Sequence, residues 1–125
     1  MMDATRIVLA GGWISLMLVY LLGDVLRLYA GDAEPGTIAG RAASSWMWVI
    51  AALYMLVPIV MIMVSLMAPA TPLRWLTVIL SVVLVLFNLV ALPFPGLYDN
   101  LLIVVSFGIN GLLIWQALAW HPGEV

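Results

Sequence analysis

The sequence predicts an all-α protein, an antiparallel four-helix transmembrane bundle, on three observations. Hydrophobic residues make up 66% of the chain and charged residues 8%, with a mean hydropathy of +1.24, whereas a soluble domain has roughly a quarter of its residues charged. Four apolar runs each approach the ~20 residues that cross a hydrocarbon core of about 30 Å. The links between the last three runs are short enough to force antiparallel neighbours. Residues 1–125 are therefore expected to form a single transmembrane domain, apolar outside as well as inside.

The first span is expected over 7–29. Its apolar core exceeds the roughly 7 to 15 residues of a secretory h-region, Arg6 is its only basic start, and no A-x-A cleavage site follows, so it reads as a retained span. Gly11, Ser15, Val19 and Gly23 recur every four residues along it, a small-residue face suited to close helix packing. The stretch "AGDAEPGTIAGRAASS" (30–45) then forms a polar loop.

The second span, 46–68, carries Pro58 near its middle, which frees a backbone carbonyl and invites a bend. Its five methionines read as flexible apolar filling, because the one histidine, His121, lies beyond the last span. "PATP" (69–72) is expected as a tight turn into the third span, 73–92, and "PFPG" (93–96) as a second turn into the fourth, 97–120. Thr77, Ser81, Leu84 and Asn88 share one face of the third span, and Ser106 and Asn110 one face of the fourth. Both stripes are expected to turn inward, for hydrogen bonds between helices or as a polar conduit.

Aromatic residues mark the span ends, since indole and phenol favour the membrane boundary. Trp75, Trp115 and Trp120 fall on the N-terminal side, and Trp46, Trp48, Tyr29 and Tyr98 on the other; Trp13 lies deeper. Arg6 and Arg74 on the N-terminal side, against Arg41 and Arg27 opposite, favour both termini in the cytoplasm.

Charge inside the spans is concentrated in "LLGDVLRLYAG". Asp24 and Arg27 lie in the last turns of the first span, at a spacing that allows them to pair. Two readings follow: an interfacial ion pair, or an Asp24 carboxylate turned into a polar cavity. Tyr20, Tyr54, Asn88, Tyr98, Asp99 and, deeper, Asn110 could accompany them, and these eight residues are the candidate ligand-binding or ion-pair positions.

Several classes are excluded or disfavoured. The chain has no lysine, a net charge of -2 and no cysteine, so a nucleic-acid surface and thiol chemistry are not expected. No phosphate loop, nucleophile elbow or carboxylate pair stands out, and no catalytic residue, metal site or cofactor is expected.

The run "LVYLLGDVLRLYAGDAEPG", then "LVPIVMIMVSLMAPATPLRWLTVIL" and "LIWQALAW", resembles a family of small four-span bacterial membrane proteins grouped as a domain of unknown function. The likeness rests on Tyr20 and Asp24, Pro35 and Gly36, Pro58 and Ile59, and Arg74 and Trp75, and covers nearly the whole chain. A looser similarity, in size and span number, is to DoxX-like proteins. The resemblance implies a multi-pass protein of the bacterial inner membrane and supplies no activity. Small multidrug exporters and dual-topology fluoride channels are similar in size, but both glutamates lie outside the spans and no polar filter motif is present.

The expected function is non-enzymatic: binding of a small or lipid-like molecule, or of a partner subunit, at the polar end of the bundle. The alternatives are a homodimeric transporter or channel using Asp24 and, last, an enzyme acting on a lipid or quinone. The expected partners are the bilayer and either a second copy or a membrane partner subunit.

Overall fold

A computed structural model describes residues 4–31, 34, 36–38, 41–91 and 96–120. Helix α1 spans Ala4–Ala30, α2 Ser45–Met67, α3 Ala70–Ala91 and α4 Leu97–Ala119. Each is long and apolar enough to cross a membrane, the form of a multi-pass membrane protein.

Local signals set the helix limits. Gly31, at φ 81°, closes α1 with its N–H on the Leu28 carbonyl, a left-handed stop that glycine adopts without strain. In the loop that follows, the sequence reading foresaw no regular structure. Thr37–Ile38 (β1) nevertheless pairs antiparallel with Arg41–Ala42 (β2), closed by the Ala43 N–H on Gly36 O. The Ser44 hydroxyl accepts from Met47 N and caps α2. The expected "PATP" turn is shorter than its prolines suggested: α3 begins at Ala70, with Pro72 in its first turn, where a missing N–H costs nothing. Of "PFPG", Pro93, Phe94 and Pro95 lie outside the described residues, and Gly96 is the N-cap of α4.

The order of helices around the bundle differs from the order in the chain. α1 packs along both α2 and α4, and α4 along α3, whereas α2 and α3, joined by two residues, scarcely meet. α1 is thus the central element. It contributes Leu9, Trp13, Leu16 and Tyr20 to the core, a 4, 3, 4 spacing that forms one helical face. Met61, Leu73, Leu84, Leu113, Ala117 and Trp120 pack against it. Lipid is as apolar as leucine, so contact quality rather than burial from water selects these neighbours.

Of the small-residue face expected on α1, Gly23 is buried against α4. Gly11 and Ser15 face outward, and a Cβ on Gly11 would meet nothing within 4 Å. Gly12 is the residue in contact, where an added Cβ would stand 2.6 Å from Leu113 Cδ2. The tryptophans divide similarly. Trp46, Trp48, Trp75 and Trp115 are exposed at span ends, as expected of belt residues, but Trp120 is buried with Trp13.

Candidate functional site

Helix geometry first fixes the depth of each polar residue. α1 and α3 run in the same direction and are held level by a hydrogen bond from Asn88 Nδ2 to the Tyr20 hydroxyl, 2.9 Å. α4 runs the opposite way, with Gly12 facing Leu113 and Arg27 facing Asp99. α2 is also antiparallel to α1, with Arg6 beside Ala68 at one end and the Tyr20 and Tyr54 rings 6.0 Å apart towards the other.

At the loop end, Arg27 is shared by two carboxylates. One guanidinium nitrogen donates to Asp24, one turn earlier on the same helix, and Nη1 donates to Asp99 Oδ1 at 2.9 Å. The two acids differ in setting. The Asp99 side chain is 3% exposed, that of Asp24 52%. The expected Asp24–Arg27 pair is present, but the buried carboxylate is Asp99, and Asp24 does not turn into the bundle. Asp99 also lies in the first turn of α4, where the helix dipole favours a negative charge. Gly23 leaves space beside the pair: a Cβ there would lie 3.7 Å from Arg27 Nη1 and 3.8 Å from Asp99 Oδ1.

About 10 Å deeper, the interval of the seven residues from Arg27 to Tyr20 at 1.5 Å each, lies an uncharged cluster. Tyr20 accepts from Asn88, whose amide also donates to Leu84 O, and Asn110, Ser106 and Tyr54 border the Tyr20 hydroxyl. Tyr54 stacks in turn on Phe87, ring centroids 5.0 Å apart. Of the eight candidate residues, Tyr20, Tyr54, Asn88 and Asn110 form this cluster and Asp24, Arg27 and Asp99 the ion-pair group above it. Tyr98 stands two residues after Gly96, with its ring 2.4 Å from where a Cβ of Gly96 would be.

Two further arginines serve the opposite end. Arg6 Nη1 donates to Ala68 O at 2.6 Å and Ser65 O at 3.3 Å, and its guanidinium lies 5.2 Å from the Trp120 ring centroid. Arg74 donates to Trp120 O. Each thus puts a cation on the unsatisfied carbonyls at a helix C-terminus, Arg6 on α2 and Arg74 on α4. These roles were not foreseen from the sequence, which gave both residues only a side of the membrane.

The sparse contact between α2 and α3 leaves an apolar groove of about 380 Å³, walled by Leu53, Leu56, Val60 and Val64 on one side and Leu76 and Leu80 on the other, with Met61 buried in the core behind. A second recess of about 440 Å³ lies along Val83, Leu86, Phe87 and Val90 of α3. Phe87 of the second recess pairs with the ring of Tyr54, the residue after Leu53 of the groove wall. Among the described residues no group of His, Cys, Asp and Glu could hold a metal ion.

No protein-family model, curated protein or solved structure matches this chain.

Proposed function

We propose that this protein binds a lipid-like molecule with an uncharged polar head, and does no chemistry on it. The apolar tail lies in the groove between α2 and α3, and the head meets Tyr54, behind which lie Tyr20 and Asn88. The observation that carries this reading is the parting of α2 from α3 directly below the one ring pair that bridges them. The groove is open and apolar, with phenol and amide groups near one end, and ligand sites combine apolar walls with a few convergent polar groups. The groove lining is aliphatic throughout and would face hydrocarbon, so its occupant is an acyl or prenyl chain. Phenol and amide groups without a net charge favour a neutral head.

The setting proposed for this activity is the bacterial inner membrane, with both termini in the cytoplasm. The resemblance to small four-span bacterial proteins supports the first part. Arg6 and Arg74 at the N-terminal side support the second.

The test is labelling by a photoreactive, neutral-headed acyl probe in native membranes. Peptides from α2 and α3 around Val60 and Leu80 should carry the label, and Val60→Trp, which fills the groove, should remove it while Ile59→Trp does not. Labelling spread evenly over the outer faces of all four helices contradicts the reading.

A further inference from the structure

Hydrogen-bond accounting divides the bundle interior into two halves. On the loop side, buried polar groups are paired: Asn88 with Tyr20 and Leu84, Asp99 with Arg27, and Ser106 with Ile103 O. On the N-terminal side, Ser65 is satisfied by Met61 O. The remaining groups there are not. Trp13 Nε1, Thr77 Oγ1, Ser81 Oγ, Arg74 Nε and Trp120 Nε1 are all buried without a hydrogen-bond partner, and Asn110, which borders the Tyr20 hydroxyl, stands between them and the Tyr20 cluster.

These atoms are graded in depth along the bundle axis. Ser81 is seven residues before Asn88 and Trp13 seven before Tyr20, so the two lie level, about 10 Å below the Tyr20–Asn88 bond. Asn110, three residues before the Leu113 that faces Gly12, lies between Trp13 and Tyr20 in depth. Thr77 is one turn below Ser81, and Arg74 and Trp120, joined by their own hydrogen bond, one turn below that. Successive members are therefore about 4–7 Å apart in depth along the bundle axis. Ala10 and Ala117, both buried at these depths, are small.

An unpaired buried polar group is costly in any protein, and in a bilayer no lipid group can pair it. The series contains donors and acceptors in mixture, no carboxylate, and an arginine at its foot. That chemistry rejects cations and suits a small uncharged partner able to donate and accept at once. We propose that the N-terminal half of the bundle holds a file of bound water molecules, bridging Thr77, Ser81, Trp13 and Asn110 and leading from the Arg74–Trp120 end to Tyr20. This half-channel gives water access to the Tyr20–Asn88 pair from the N-terminal side of the bundle. It is independent of the lipid-like ligand proposed above.

The test is water-edited solid-state NMR on the labelled full chain in bilayers, with the Asn110 side-chain amide assigned by its loss in Asn110→Leu. Magnetisation from water is expected to reach this amide and the Ser81 and Thr77 side chains as early as it reaches Thr37 in the loop, and well before lipid-facing Leu86. Transfer no faster than to Leu86 means a dry interior and overturns the proposal. Thermal midpoints give a second readout that does not depend on assignment. Thr77→Val and Ser81→Ala should both lower the midpoint if water bridges these hydroxyls; both raise it if the hydroxyls are unpaired and dry, which again overturns the proposal.

Discussion

Arg27 Nη1 and Asp99 Oδ1 meet at 2.9 Å, joining the end of α1 to the start of α4 across most of the sequence. With Asp99 almost fully enclosed and Arg27 about a quarter exposed, the pair resembles a buried salt bridge more than a surface one. Removing one partner of such a pair strands the other. Arg27→Leu is therefore expected to cost about 2–4 kcal/mol, below the upper end for fully buried pairs because Arg27 is partly solvated. Asp99→Leu added to Arg27→Leu should recover much of that loss. Asp24→Asn, on the exposed side, should cost under about 1 kcal/mol. Unfolding of the three variants in mixed micelles against sodium dodecyl sulfate ranks them; equal losses for Asp24→Asn and Arg27→Leu contradict the assignment.

The two arginine caps at the opposite end should be separable from their charge. Arg6→Ala loses bonds to Ser65 O and Ala68 O, and hydrogen bonds to charged groups contribute about 1.5–3 kcal/mol. Arg6→Lys retains the cation at the α2 terminus and should recover part of it. The same detergent titration measures both, and a neutral Arg6→Ala would show that the cap carries no stability.

The close contact on α1 predicts a sharp difference between adjacent glycines. Gly12→Val needs space that Leu113 occupies and should destabilise, with recovery in Gly12→Val/Leu113→Ala. Gly11→Val, facing open space, should change little. Thermal stability of the three variants in detergent tests the register of α1 on α4.

The Tyr20–Asn88 bond should be modest in energy. Interhelical hydrogen bonds in membranes average about 0.6 kcal/mol in double-mutant cycles, with a maximum near 1.7. A cycle of Tyr20→Phe and Asn88→Leu should give a coupling in that range, and a coupling of zero would contradict the pairing of α1 with α3.

What could be read in the sequence follows from what is chemically distinctive in it. Four spans, their limits to within about three residues and the exposed tryptophans at their ends were legible because lipid imposes length and hydropathy directly. The order of helices around the bundle was not. Short links implied that α2 and α3 pack together, yet apolar faces of leucine and valine fit one another and lipid almost equally well, and α2 packs on α1 instead. Azimuth failed in the same way. A step of one residue turns a helix by about 100°, enough to exchange Gly11 for Gly12 as the packing glycine. Depth was legible for the polar residues near the loop end, and Tyr20, Tyr54 and Asn88 are neighbours there. Which acid is enclosed depended on the position of α4, and only the fold showed Asp99 as the buried partner. Trp13, expected deeper than the belts, is buried, and so is Trp120, expected in them.

Native mass spectrometry of the protein released from mild detergent detects a bound lipid-like molecule with a neutral head without labelling. The expected result is a defined adduct of one amphiphile per chain, retained by the wild type and by Ile59→Trp and lost in Val60→Trp. A bare chain in all three, or the same mixture of bulk lipids on each, contradicts it.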